Sequence, residues 1–179
     1  SVWTWGINNY GQLGDGTYIN RAYPVQVTLS IDEETGVRDY ISDIKRIAAG
    51  ERFVLSLRND GLLYAWGDNT SGQLGVEINN ETTEDGTAIE DSRSLPVEID
   101  LTDGVDFTEI TDIAAGKNHT VIVLNNDTVY TWGDNTYGQL GTGENGSYIP
   151  NQVKGFNGGG YLTDIISVKA GSYHTVALK

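Results

Sequence analysis

Apolar and polar residues alternate in three short segments of the chain, at residues 53–57, 119–124 and 174–178. Alternation with period two and many β-branched residues predict β-strands. Two of these segments lead through turns rich in Asn and Asp, at residues 59–61 and 125–127, into a second apolar stretch that ends at Trp66 or Trp132. Asn, Asp and Gly tolerate the positive backbone angles of tight turns. Each pair of segments is therefore predicted to form a β-hairpin.

Two further strands are predicted to flank each hairpin. An inner strand is indicated by isoleucine or valine six and three residues before a glycine, and these glycines are Gly50, Gly116 and Gly171. An outer strand is predicted to start at a proline, and these prolines are Pro24, Pro96 and Pro150. Proline suits the edge of a sheet because its missing N–H costs no ladder hydrogen bond there. Four short antiparallel strands with glycine-rich corners are typical of a β-propeller blade.

The blade pattern occurs three times. A run from Trp-Gly to Gly-Gln-Leu-Gly occupies residues 5–14, 66–75 and 132–141. We interpret the chain as one all-β propeller-type repeat domain over 1–179, with units of about 1–61, 62–127 and 128–179. The terminal blade is predicted to be split between 165–179 and 1–27. Propellers have about four to eight blades, so we expect a second copy, giving a six-bladed ring, or blades outside this sequence to complete it.

These motifs resemble a known repeat. Ala-Gly-x-x-His-Thr at 115–120, the Trp-Gly to Gly-Gln-Leu-Gly run and Pro-x-x-Val together resemble the repeat of the regulator of chromosome condensation family, over essentially the whole chain. The resemblance implies a β-propeller. It implies no single activity, because the family's propellers include a nucleotide exchange factor for a small GTPase, a secreted inhibitor of β-lactamases and many protein-interaction domains.

Composition narrows the classes of partner. The 179 residues carry a net charge of -14, which repels nucleic acid phosphates and anionic membrane surfaces. We therefore expect neither a nucleic acid partner nor membrane insertion. The absence of cysteine excludes disulfides, thiolate metal sites and cysteine nucleophiles. Abundant Asn, Thr, Tyr and Gly favour an extracellular or cell-surface bacterial or archaeal protein over a cytoplasmic one.

Residues that suggest chemistry recur at fixed repeat positions, which favours structural roles. His119 and His174 share the position of Phe53, so we interpret both as packing residues that form hydrogen bonds inside the blade. Trp5, Trp66 and Trp132 are predicted to pack between blades. The Asp-Asn pairs at 68–69 and 134–135 lack the spacing of a calcium loop and are interpreted as turn caps.

No motif in the sequence indicates catalysis. The chain has no Walker loop, no Gly-x-Ser-x-Gly elbow and no His-Glu-x-x-His. We expect no enzyme activity, no cofactor and no metal.

Two expansions distinguish the chain from a generic repeat. Loop 76–95 has twenty residues where its counterparts have nine and eight, and a second expansion at 30–38 lengthens the link to the next blade. The candidate partner-binding residues are Glu77, Glu81, Glu84, Asp85, Glu90 and Asp91 in the acidic loop, and Asp32, Glu33 and Glu34 in the second expansion. Both expansions could equally be solvated insertions without a ligand.

Three functions remain open from the sequence. The first is a scaffold whose acidic loop contacts a basic or cationic protein partner. The second is a building block of a larger surface or filament assembly that self-associates through exposed blade edges. The third, guanine nucleotide exchange, is implied only by the family resemblance.

Overall fold

A computed structural model of the chain describes residues 1–79, 91–100 and 109–179. These residues form short β-strands and one 3₁₀ helix, η1 (Phe156–Gly158). The strands are β1 (Trp3–Gly6), β2 (Arg21–Gln26), β3 (Thr28–Ile31), β4 (Arg38–Tyr40), β5 (Ile44–Ala49), β6 (Phe53–Arg58), β7 (Leu63–Asp68), β8 (Ser92–Glu98), β9 (Ile110–Ala115), β10 (His119–Leu124), β11 (Val129–Gly133), β12 (Ser147–Gln152), β13 (Ser167–Ala170) and β14 (Thr175–Leu178). Across the described ranges, no helix has the length and apolar character needed to cross a membrane.

Two complete four-stranded antiparallel blades lie in the middle of the chain. Strands β5 to β8 form the first and β9 to β12 the second, each in sequence order from one edge to the other. The predicted hairpins are present, with Leu57 opposite Leu63 and Val123 opposite Val129. Gly61 and Asp127 in the two turns have φ angles of 95° and 61°. The predicted all-β propeller fold with four-stranded blades is confirmed.

The ends of the chain contribute two half-blades. Strand β1 pairs with β2, and β13 pairs with β14, in separate two-stranded sheets. By their repeat positions, β13 and β14 correspond to the first two strands of a blade, and β1 and β2 correspond to the last two. Among the described residues, β1 has no partner beyond β2, and β14 has none beyond β13.

The outer-strand prolines lie inside their strands and not at their starts. Pro24 is the fourth residue of β2, Pro96 the fifth of β8 and Pro150 the fourth of β12. Each proline lies where the pairing with the neighbouring strand shifts register. For Pro96, Ala65 of β7 pairs with Val97 and Gly67 pairs with Arg93, so the proline falls within the irregular stretch. A register shift at a sheet edge leaves backbone groups unpaired, so proline is tolerated there.

The hydrophobic core lies between neighbouring blades. The largest cluster joins the two complete blades and includes Leu55, Ile113 and the fully buried Trp132. A second cluster joins the second blade to β13 through Val121 and Val168, and a third joins the N-terminal half-blade to the first complete blade. Each blade is therefore stabilised mainly by the face of the next one.

The second expansion folds into a β-hairpin. Strands β3 and β4 pair antiparallel, with Ile31 opposite Arg38. The guanidinium of Arg38 donates to the backbone oxygen of Asp15 at 2.6 Å and to Thr28 Oγ1 at 3.1 Å. The bond to Asp15 docks the hairpin against the loop that joins β1 to β2, whereas the bond to Thr28 lies within the hairpin.

Candidate functional site

The three repeat tryptophans lie in different environments. Trp66 and Trp132 are fully buried, and each indole Nε1 donates to a glutamine backbone oxygen of the preceding repeat, Gln12 or Gln73, at 3.0 Å. Trp5 is 63% exposed. In the two complete blades, the indole therefore seals the contact between one blade and the next.

The glycine that follows each inner strand lies against an aromatic ring. A Cβ at Gly50 would overlap the ring of Phe53, and a Cβ at Gly116 would overlap the ring of His119. The Gly116 N–H also donates to the backbone oxygen of His119 at 2.8 Å. Glycine is required here because the ring occupies the space of a side chain.

The two histidines differ in burial although they share this repeat position. His119 is fully buried, with Nε2 3.1 Å from Thr175 Oγ1 of the next half-blade. Burial lowers the pKa of His119 to about 4, so the ring is neutral at pH 7. His174 is exposed, and Gly171 lies beside its ring. The geometry gives His119 a packing role and no access to a substrate.

Asparagines after each Trp-Gly pair close the turns. The Oδ1 atoms of Asn8, Asn69 and Asn135 accept the backbone N–H five residues later at 2.9–3.0 Å. Asp68 and Asp134 cap the same turns by accepting the N–H two residues on, each at 2.9 Å. In the described ranges 1–79, 91–100 and 109–179, no three His, Asp or Glu side chains converge as metal ligands.

A buried carboxylate links successive inner strands, and sequence reasoning missed it. Asp112 accepts hydrogen bonds from Ser167 Oγ at 2.8 Å and the Val168 N–H at 3.1 Å, and it lies 3.7 Å from Arg46 Nη1. Burial opposes the ionisation of Asp112. The two hydrogen bonds and the charges of Lys169 and Arg46 outweigh burial and hold the pKa of Asp112 below its usual range. Arg46, Asp112 and Ser167 share one repeat position, which is the signal that could have revealed the contact.

Loops of one propeller face carry paired cations and aromatic rings. Arg52 lies over the Tyr10 ring at 4.4 Å and donates to its hydroxyl at 2.7 Å. Lys117 lies 5.4 Å from the centroid of Tyr173 and 3.1 Å from the Glu51 carboxylate. Backbone hydrogen bonds join the successive inner loops on this face. Only the tertiary arrangement places these groups together, because they come from different repeats.

The acidic loop is only partly within the described residues. Glu77 is exposed, and Glu81, Glu84, Asp85 and Glu90 lie outside the described residues. Asp91 is buried, only 4% exposed, and its carboxylate accepts from Asn69 Nδ2, the Asn79 N–H and Arg93. That carboxylate is directed into the fold, so Asp91 is not placed to meet a partner.

The acidic residues of the second expansion differ among themselves. Asp32 Oδ1 accepts the N–H groups of Glu34 and Thr35 and the Thr35 hydroxyl, and the Thr35 bonds lower the pKa of Asp32. It therefore closes the turn of the β3–β4 hairpin. Glu33 and Glu34 are exposed at the tip. They remain available to solvent or to a partner.

The repeat is also found by comparison with known families. The sequence profile described as "Regulator of chromosome condensation (RCC1) repeat" matches residues 1–57, 60–123 and 126–178. A second profile of the same description matches 44–73 and 110–139. The chain belongs to the RCC1 repeat family. The resemblance inferred from the sequence is thereby confirmed.

RCC1-repeat relatives among characterised proteins are much longer than this chain. The ultraviolet-B receptor UVR8 of Arabidopsis thaliana is 31% identical over 80% of this chain and 28% of the receptor. The human E3 ubiquitin-protein ligase HERC2 is 30% identical over 99% of this chain and 3% of the ligase. The chain thus spans less than a third of either relative.

Solved structures share the fold. Prp20p of Saccharomyces cerevisiae is 26% identical, with a TM-score of 0.67, over 97% of this chain and 38% of Prp20p. Human WBSCR16 has a TM-score of 0.70 at 19% identity, over 100% of this chain and 40% of WBSCR16. The RCC1-repeat propeller supplies the architecture, and function depends on surfaces added to it.

Proposed function

We propose that the chain is a non-enzymatic protein-interaction scaffold whose acidic loop, 76–95, contacts a basic protein partner. The observation that carries the proposal is that the buried Asp91 carboxylate joins the two ends of this loop by hydrogen bonds. One buried carboxylate joins Asn69 and Asn79 on the incoming side to Arg93 on the outgoing side. The described residues at the two ends of the loop are therefore held together by hydrogen bonds to Asp91.

The first repeat shows the same base without the acidic insertion. Asp15 is buried and accepts from Asn8 Nδ2 at 3.2 Å and from Arg21 Nε at 2.7 Å. Six residues separate Gly14 from Arg21, whereas seventeen separate Gly75 from Arg93. The second repeat thus keeps the frame and adds length and negative charge. An insertion on an intact frame suits a binding loop, which is positioned by a scaffold and need not stabilise it.

Charge favours a basic partner. The chain has a net charge of -14, and the described end of the loop presents Glu77 to solvent. A field of one sign raises the rate of association with a protein of the opposite sign. The relative Prp20p binds Gsp1p and histones, and histones are basic proteins.

The test neutralises the loop and leaves its base intact. In the full chain, Glu77→Gln, Glu81→Gln, Glu84→Gln, Asp85→Asn and Glu90→Gln are combined, and Asp91 is retained. We expect capture of purified core histones to weaken at least tenfold and its dependence on salt to decrease, with unchanged thermal melting. Unchanged histone binding would contradict the proposal.

The second expansion provides the matched control. Glu33→Gln with Glu34→Gln removes charge from the exposed hairpin tip and leaves the Asp32 turn cap in place. We expect this pair to affect histone capture less than the loop variant does. An equal or larger effect would move the contact to the hairpin and overturn the assignment to loop 76–95.

The exposed blade edges favour a second candidate function, a building block that self-associates. Trp5 at one edge is 63% exposed, and Val176 and Leu178 at the other are 55% and 58% exposed. Unpaired strand edges with apolar residues favour pairing with another chain. Light scattering over a hundredfold concentration range tests this function, and a monomer throughout would exclude it. Guanine nucleotide exchange is supported only by likeness to Prp20p, which binds Gsp1p.

A further inference from the structure

We propose that the ring of Tyr18, beside the outgoing end of the acidic loop, receives a lysine or arginine side chain of the basic partner in a cation–π contact. This contact rests on the proposed function, in which loop 76–95 binds a basic protein, and it adds a binding residue from outside that loop.

The segment that joins β1 to β2 lies alongside the outgoing end of the acidic loop. The Gly16 N–H donates to the Ser94 backbone oxygen at 2.9 Å, and a Cβ at Gly16 would be 3.4 Å from Leu95 Cδ2. Two residues further on, the Tyr18 hydroxyl lies 3.5 Å from Ser92 Oγ. Tyr18 is therefore a direct neighbour of the loop, although the two are far apart in sequence.

The Tyr18 ring is partly in solvent. Tyr18 is 51% exposed, and Ile19 beside it is 61% exposed. The strand that Tyr18 contacts, β8, belongs to a blade whose four strands are all described. The ring is thus exposed beside a complete blade. Exposed tyrosines of this kind are frequent anchors in protein interfaces.

The nearby cations of the chain are bound to buried carboxylates. Arg21 Nε donates to Asp15 at 2.7 Å, and the Arg93 guanidinium donates to Asp91. Both carboxylates belong to residues that are only 4% exposed. Because a buried carboxylate holds its guanidinium firmly, neither arginine is available to the ring of Tyr18.

Other tyrosines show that rings of this fold hold cations. Three of them have a cation of the chain 4.4–5.4 Å from the ring centroid, and the pairs are Tyr10 with Arg52, Tyr173 with Lys117, and Tyr161 with Lys154. A cation within about 6 Å of a ring centroid is attracted by the quadrupole of the ring. Among the residues that the structure describes, no lysine or arginine lies over Tyr18 in this way.

The charge of the chain indicates where the cation comes from. The net charge is -14, and Glu77 is exposed at the incoming end of the acidic loop. A basic protein attracted by this charge brings lysine and arginine side chains to the loop. The acidic residues act at long range and are screened by salt, whereas the ring acts only in contact.

Capture of purified core histones by the full 1–179 chain tests the contact. Tyr18→Leu removes the ring and keeps an apolar side chain, so capture should weaken about threefold to tenfold. Tyr18→Phe keeps the ring and should weaken capture less than Tyr18→Leu does. The matched control is Tyr161→Leu, because Tyr161 is similarly exposed at 54% but already holds Lys154. This control should change capture by less than about twofold.

The variants separate the ring from the acidic loop. Equal effects of Tyr18→Leu and Tyr161→Leu, or equal losses from Tyr18→Leu and Tyr18→Phe, would overturn the ring contact and leave the loop assignment standing. Unchanged capture by the neutralised loop variant, together with weakened capture by Tyr18→Leu, would contradict the loop assignment and support the ring contact. Tyr18→Leu should also leave the salt dependence of capture unchanged, whereas the loop variant should reduce it.

An octa-arginine peptide probes the ring directly and needs no histone. In a chain with isotope-labelled tyrosines, the Tyr18 ring signal is assigned by its loss from the NMR spectrum of Tyr18→Phe. Adding the peptide should shift this signal and leave the Tyr161 signal in place. A Tyr18 signal that does not move at any peptide concentration would overturn the ring contact, even if histones are captured.

Discussion

The complete blades and the two terminal half-blades contain the same motifs in different surroundings. Trp132 and His119 in the second complete blade are fully buried, whereas their counterparts in the half-blades, Trp5 and His174, are exposed. The repeat motif therefore fixes which residue types stand at these positions, but it does not by itself bury their side chains. Burial requires the face of a neighbouring blade, because each core cluster lies between two blades.

The largest expected difference concerns the tryptophans. Trp132→Ala should lower the free energy of unfolding by about 3–5 kcal/mol, because it leaves a cavity in the core between two blades and removes the hydrogen bond to Gln73. Trp5→Ala, measured in dilute protein, should cost less than about 1 kcal/mol, because Trp5 is 63% exposed. Urea unfolding followed by circular dichroism measures both. Equal losses would show that Trp5 is buried in solution.

The pH dependence of stability should trace to His119. In the unfolded chain this imidazole takes up a proton near pH 6.5, whereas burial delays protonation in the fold to about pH 4. Between these values the unfolded state binds more protons, so His119 should cost the fold about 3 kcal/mol as pH falls from 6.5 to 4. His119→Phe, which copies Phe53, should remove this component from urea unfolding measured across that range. An unchanged pH profile in the variant would contradict the assignment.

The smallest predicted contrast concerns two glycines. Gly116→Ala should destabilise the fold by about 1–3 kcal/mol, because its Cβ would overlap the ring of the buried His119. Gly171→Ala should cost less, because the overlapping ring belongs to the exposed His174 and can turn away. Thermal melting of both variants makes the comparison. A greater loss for Gly171→Ala would mean that the terminal half-blade is packed in solution.

Local features were predictable from the sequence where they depend on neighbouring residues. The hairpin turns at Gly61 and Asp127 have the positive φ angles expected from their residue types. The outer-strand prolines were assigned to the correct strands but to the wrong place within them, because register shifts at an edge depend on the facing strand. Such shifts leave no mark in residue spacing.

Features that join distant residues were not predictable in the same way. Asp91 belongs to an acidic run and was interpreted with it as a surface residue, yet the structure buries it against Asn69. No pattern in the sequence predicted a contact for Asp112, although its carboxylate links the inner strands β9 and β13 by accepting a hydrogen bond from Ser167. A carboxylate can be solvated or buried with donors, and the choice depends on what the fold places around it.

The sequence by itself determined the repeat, the strand order within a blade and the residue types at each corner, because these depend on short-range periodicity and turn chemistry. The tertiary structure decided which copies of each motif are buried, since burial comes from a neighbouring blade about sixty residues away in the chain. Trp132 and Trp5 are the clearest case, because the same repeated run of residues gives a buried indole where two described blades meet and an exposed indole in the N-terminal half-blade.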